Sequence, residues 1–108
     1  MTQYSVELSA DAQYQINSIV RYIAMELGNV SAAKRFIDDV EKAMKNVQSN
    51  PFSHMIRPHS ETFDGFPKRQ FQFRENYIMF YVVFEDRLKV RILRIAYSRM
   101  DLSKERCA

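Results

Sequence analysis

The chain opens with Tyr4, Val6 and Leu8 alternating with Ser5 and Glu7, the period-two pattern of a half-buried strand. Ser9 is placed to cap a helix beginning near Asp11 and Ala12. Ala12, Ile16, Ile19, Val20, Ile23 and Leu27 then share one face of a 3.6-residue period, and Gly28-Asn29 supplies a left-handed stop. Ser31 is predicted to cap a second helix with an apolar stripe of Ala33, Phe36, Ile37, Val40, Met44 and Val47, which Asn50-Pro51 ends. So short a connection between two amphipathic helices predicts an antiparallel hairpin.

Residues 52–67 lose this periodicity. Prolines, Gly65, His54 and His59 mark the stretch as a surface loop. Three strand patterns follow. Over 68–74, Arg69, Phe71 and Phe73 alternate with Lys68, Gln70, Gln72 and Arg74, which predicts one apolar and one polar face with Lys68 and Arg74 together on the latter. Tyr77 to Phe84 is apolar throughout, as a central strand covered on both faces would be. After a turn at Asp86-Arg87, Leu88, Val90 and Ile92 alternate with Lys89 and Arg91, and the phase then slips to Leu93, Ile95 and Tyr97, which predicts a bulge or two-sided burial. The predicted fold is α+β, in the order β-α-α-β-β-β, with a helical hairpin packed on a small, mainly antiparallel twisted sheet.

Length and composition narrow the class. The 108 residues suit one domain, 1–108, and 46% apolar content supplies a core without staples. The one cysteine, Cys107, leaves no internal disulfide framework or cysteine-based zinc site. Two glycines are too few for a phosphate-binding loop, and the eight-residue apolar run Tyr77–Phe84 is far short of a membrane span, so no membrane association and no cofactor or metal are expected. Polar residues interrupt the start of the chain where a signal peptide would need apolar ones, so a cytoplasmic location is expected. The net charge of +3 is unevenly placed: residues 57–108 carry eleven basic and seven acidic side chains, residues 1–56 five and six. The excess points to a polyanion or an acidic partner.

From residue 69 onward an ordered set becomes recognisable: Arg69-x-Phe71-x-Phe73, Asn76-Tyr77-Ile78-x-Phe80-Tyr81, and Val90-x-Ile92-Leu93-Arg94-Ile95-x-Tyr97-x-Arg99-x-Asp101. With Leu27-Gly28-Asn29, Ala33 and Asn50-Pro51 in the first half, the chain resembles the RelE/ParE superfamily of toxins. The resemblance implies the toxin of a type II toxin–antitoxin (plasmid stabilisation) pair, neutralised by a small cognate antitoxin. It implies one of two targets. ParE-like members poison DNA gyrase; RelE-like members cut messenger RNA on the ribosome without metal. A non-toxic nucleic-acid-binding relative is the third reading, and homo-oligomerisation is left open.

Metal-free cleavage by 2′-hydroxyl attack needs charge stabilisation at the phosphate and a pair of proton transfers. Arg99 matches the strand-end arginine that RelE-like enzymes aim at the scissile phosphate, with Lys68 and Arg74 expected to flank it. Tyr97 is the candidate acid, because the stretch after Arg99 holds neither the tyrosine nor the histidine of RelE-like members. That departure favours the ParE-like type. Arg69 is kept among the target-binding residues, although its parity with Phe71 and Phe73 points to a structural place at the core edge. His54 and His59, five residues apart, match no helical metal pair. Asp38, Asp39 and Glu41 are explained by neighbouring lysines one helical turn away.

Overall fold

The computed structural model describes residues 3–57, 61–74 and 76–97. The elements run β1 (Ser5–Leu8), α1 (Ala10–Arg21), a π-helical turn (Tyr22–Glu26), α2 (Val30–Ser49), β2 (Met55–Ile56), β3 (Thr62–Phe63), β4 (Phe66–Phe73), β5 (Tyr77–Phe84) and β6 (Lys89–Tyr97). The sheet order is β1-β6-β5-β4-β2, with β3 paired to β4. The helical hairpin carries the chain across one face, so β1 joins β6 in parallel while β4, β5 and β6 form an antiparallel meander.

Local chemistry explains the helix ends. Ser9 accepts from the Ala12 N–H through its hydroxyl oxygen at 3.0 Å and donates that hydroxyl to the Leu93 carbonyl at 2.8 Å, so the cap also ties α1 to β6. The second helix is capped by Asn29, not by the predicted Ser31: its Oδ1 accepts from the Ala32 N–H at 2.9 Å. Either residue type has the required acceptor, and the left-handed backbone of Gly28 (φ 62°) decides which of them meets the free N–H groups.

Between the helices the π turn adds one residue to the α-helical count, with the Leu27 N–H reaching the Tyr22 carbonyl at 3.1 Å. The apolar stripe is therefore rotated at its end. Ile23 is buried, but Leu27, predicted to share its face, is 59% exposed.

The helix side of the sheet holds the main core. Ile16, Ile23, Phe36, Val40 and Val47 meet Phe73, Met79, Tyr81, Val83, Val90, Ile92 and Ile95. Phe80 of β5 pairs with Arg94 and Tyr81 with Ile92, so Leu93 is an extra residue, and this bulge lets Val90, Ile92 and Ile95 all face the helices. The slip in the sequence pattern is the bulge.

The opposite face is also apolar at its centre, since Phe80, Val82 and Phe84 are buried. No second helical layer covers them among the described residues. The segment read as a plain loop instead forms β2 and β3, and Phe63 and Phe66 pack against Phe84 with ring centroids 6.2 and 5.3 Å away. Guanidinium groups cover the rest.

Candidate functional site

The face of the sheet away from the helices collects polar positions of β1, β4 and β6 around the apolar β5, with Arg57 added from just after β2. Arg57 follows β2 and Arg94 stands on β6, and each guanidinium carbon lies 4.9 Å from the Phe80 ring centroid. Arg91 and Arg87 lie over Phe84 at 5.2 and 4.2 Å. A planar guanidinium seals an aromatic ring while its edge keeps hydrogen-bond donors toward water. Arg57 is held further by Gln70 Oε1 at 2.8 Å and Glu61 Oε2 at 3.0 Å. Lys68 Nζ stands 4.0 Å from the same Glu61, and Lys89 and Arg91 share Glu7 at 3.4 and 3.3 Å.

Glu61 thus serves both Arg57 and Lys68, and Glu7 serves both Lys89 and Arg91. Desolvation pushes the Glu7 carboxyl up, and the hydrogen bond and charge of Arg91 with the charge of Lys89 outweigh it, holding Glu7 below the usual carboxylate range. The face keeps a cationic excess at neutral pH. Such an array suits phosphate or carboxylate groups.

The reading of the β4 polar face places Lys68 correctly and Arg74 wrongly. Arg74 adopts φ 54°, which breaks the alternation and turns the side chain to the helix side. There its Nε meets Asp39 Oδ2 of α2 at 3.2 Å, and its guanidinium lies 5.9 Å from Phe36 and 5.8 Å from Tyr77. Lys68 and Arg74 are also at opposite ends of β4, about 20 Å apart at the rise of a strand. They do not flank a common point. Asp39 accordingly bridges α2 to the β4–β5 turn, not to a lysine on its own helix.

Arg74 and Tyr97 do come together, in a groove of about 840 Å³ between α1, the π turn and the ends of β5 and β6. Tyr22, Leu27, Arg74, Tyr77 and Tyr97 line it. Tyr97 packs against Tyr77 with centroids 5.2 Å apart and the rings tilted, and burial pushes the Tyr77 hydroxyl up despite nearby Arg74. Tyr97 therefore belongs to the helix side, away from the cationic array.

Arg69 is structural in its contacts. It donates to the carbonyls of Phe52 at 3.3 Å and His54 at 2.9 Å and lies 5.2 Å from the Phe52 ring, pinning the segment after α2 to the sheet. His54 stacks on Phe71 at 4.1 Å, with Nε2 2.6 Å from Asn46 Oδ1. Burial first, and the charge of Arg69 second, hold its pKa below the ordinary value. Arg99 and His59 lie outside the described residues. Among the described residues no group of His, Cys, Asp and Glu is arranged to hold a metal ion, and no helix is long and apolar enough to cross a membrane.

Arg57, Lys89, Arg91 and Arg94 were absent from the sequence-based site. The alternation of Lys89 and Arg91 with Val90 and Ile92 carried the signal for two of them, had the polar faces of β4 and β6 been combined. Arg57 in an aperiodic segment and Arg94 beyond a bulge gave none.

A helical hairpin packed on one face of a mixed, mainly antiparallel sheet, with a cationic array on the other face, defines a small α+β domain. Its family follows from comparison. Residues 6–102 match the model of the ParE toxin of type II toxin–antitoxin systems, parDE, and the chain belongs to that family. Among solved structures it is similar to the chromosomal ParDE system of P. aeruginosa, with 17% identity, 90% of this chain and 98% of that chain covered, and a TM-score of 0.69. It is also similar to the toxin–antitoxin complex RelBE2 of Mycobacterium tuberculosis, with 17% identity, 88% and 98% covered, and a TM-score of 0.57. No curated protein matches the sequence.

Proposed function

We propose that this type II toxin arrests growth in the cytoplasm by binding its target through the cationic sheet face, in the ParE manner with DNA gyrase as the target, and that a small antitoxin silences it. One observation carries the binding mode: the face holds prepositioned guanidiniums but, among the described residues, no histidine or tyrosine. Tyr77, Tyr81 and Tyr97 stand on the helix side, and His54 stacks there on Phe71. Charge stabilisation without proton transfer suits recognition better than cleavage of a phosphodiester.

Metal-independent messenger-RNA cleavage on the ribosome is the second reading, because the same guanidiniums would hold an RNA backbone and stabilise a phosphorane. Induced expression with and without the neighbouring small reading frame, followed by gyrase supercoiling assays and mapping of RNA ends, separates the two. Growth arrest with intact transcripts and blocked supercoiling is expected. Codon-phased RNA ends would replace the gyrase reading by the nuclease one, and normal growth would leave an inert relative. Lys68→Ala combined with Arg91→Ala is expected to weaken arrest by at least tenfold in the inducer dose required, with the circular dichroism spectrum unchanged.

A further inference from the structure

Among the described residues, Asp64, Arg74 and Leu88 hold a left-handed backbone without being glycine, at φ 52°, 54° and 51°. Aspartate is one of the side chains that tolerate this region, and Arg74 gains there its ion pair with Asp39 and its place over two rings. Neither account fits Leu88. It closes the turn 85–88 between β5 and β6, in which the Arg87 N–H reaches the Phe84 carbonyl at 3.2 Å and the Leu88 carbonyl accepts from the Ser5 N–H of β1 at 3.0 Å. A glycine or asparagine would return the chain to the strand at that point with less crowding of its Cβ. Burial does not offset the strain either. Leu88 is 44% exposed and, among the described residues, is not one of the apolar side chains packed on the core.

Its surroundings select a class of partner. On one side stand Arg87, 4.2 Å from the Phe84 ring centroid, Arg91 over the same ring at 5.2 Å, and Lys89, 3.4 Å from Glu7. This is the Phe84 end of the cationic array. On the other side Glu85 and Asp86 are exposed, with Asp86 Oδ1 3.4 Å from Arg87 Nε. A sugar–phosphate backbone laid here would meet carboxylates and gain nothing from an aliphatic side chain. An apolar knob ringed by charges of both signs has instead the anatomy of a protein contact, a desolvated centre inside a polar rim.

We propose that Leu88 anchors the toxin on a protein target, by entering an apolar pocket whose rim offers carboxylates to Lys89 and Arg91 and a basic group to Glu85. The assignment rests on the reading that the target is bound through the cationic face, and it narrows that target to a folded protein. The strained backbone is kept because it carries the leucine to the tip of the hairpin, where binding uses it.

The test compares the full chain with Leu88→Asn, Leu88→Gly and Leu88→Met by thermal melting, by the inducer dose that arrests growth, and by inhibition of gyrase supercoiling. Anisotropy with a fluorescent DNA duplex and a fluorescent single-stranded RNA accompanies them. Leu88→Asn and Leu88→Gly, both at ease with this backbone, are expected to melt no lower than the parent and yet to be weaker by about tenfold or more in arrest and in gyrase inhibition. Leu88→Met keeps the apolar volume and is expected to stay within about threefold. Intact stability joined to lost potency is a result that a merely structural leucine does not give. Asparagine and glycine variants as potent as the parent overturn the anchor and leave the toxin reading intact. Melting temperatures lowered by more than about 5 °C in both make the leucine structural and overturn it as well. Tight binding of the DNA or RNA probe by the parent, unchanged in Leu88→Asn, together with cut transcripts assigns the face to nucleic acid and overturns the protein partner. A parent chain that neither arrests growth nor blocks supercoiling overturns both readings.

Discussion

The two faces of the central strand β5 bury aromatic and aliphatic side chains to a similar degree, yet by different means. On one side Tyr81 and Met79 are sealed by α1 and α2; on the other Phe80 and Phe84 are sealed by arginines and by Phe63 and Phe66. Helices exclude water with close-packed carbon, and over the rings they bury they leave no hydrogen-bond donors. Guanidiniums exclude water from a ring face and still direct donors outward, so one layer combines burial with exposed hydrogen-bond donors. A strand that is apolar on both sides need not lie between two layers of regular structure.

This difference is tested most strongly by truncating one ring on each face. Phe36→Ala, at a fully buried helix-side position, is expected to destabilise by about 3–5 kcal/mol, whereas Phe80→Ala is expected to cost about 2–3 kcal/mol because Arg57 and Arg94 can settle into the gap. Urea unfolding of both variants measures this, and equal losses would show that the arginine-covered face is as rigid as the helix-covered one. Tyr81→Phe comes next. Its hydroxyl donates to the Pro51 carbonyl at 3.0 Å, and burial pushes its pKa up to about 12. Removing it is expected to cost about 1–2 kcal/mol by leaving a buried carbonyl without that donor, with no change in toxicity at a fixed inducer dose.

A smaller effect belongs to His54. Its folded pKa lies below the ordinary 6.5, so the native state favours the neutral ring and the unfolded chain binds the extra proton. That stability is complete above pH 6.5 and is lost as pH falls through 6.5 towards the folded value, with no comparable change between pH 7.5 and 8.5. His54→Gln is expected to flatten the melting temperature between pH 7.5 and 5; an unchanged slope would assign it to other groups. Smallest is Asp39→Asn, which removes a partly exposed ion pair and is expected to change stability by less than about 1 kcal/mol.

The legible parts of the fold were those in which period and burial coincide. Tyr4, Val6 and Leu8, the Phe36–Val40–Val47 stripe and the two-sided Tyr77–Phe84 run each repeat long enough to be read without knowing their neighbours. The candidate surface was legible only in part, because it collects one or two residues from each of several elements. Lys68 could be placed on a polar strand face, but Arg91 and Arg94 share that face only by virtue of the Leu93 bulge. Arg57 reaches it from a segment whose two-residue strand leaves no periodic trace.

By itself the sequence determined the α+β class, the order of the long elements, the identity of most core residues, and a cationic second half. These follow from interactions between residues near one another in the chain, where 3.6- and 2-residue periods decide which side is apolar. Only the tertiary structure decided that Arg74 turns away from Lys68 to meet Asp39, that Leu27 is rotated out by the π turn, and that arginines cover the far face of the sheet. Each depends on a single backbone departure or on a partner remote in sequence, and a departure of one residue is enough to send a side chain to the other side of a sheet.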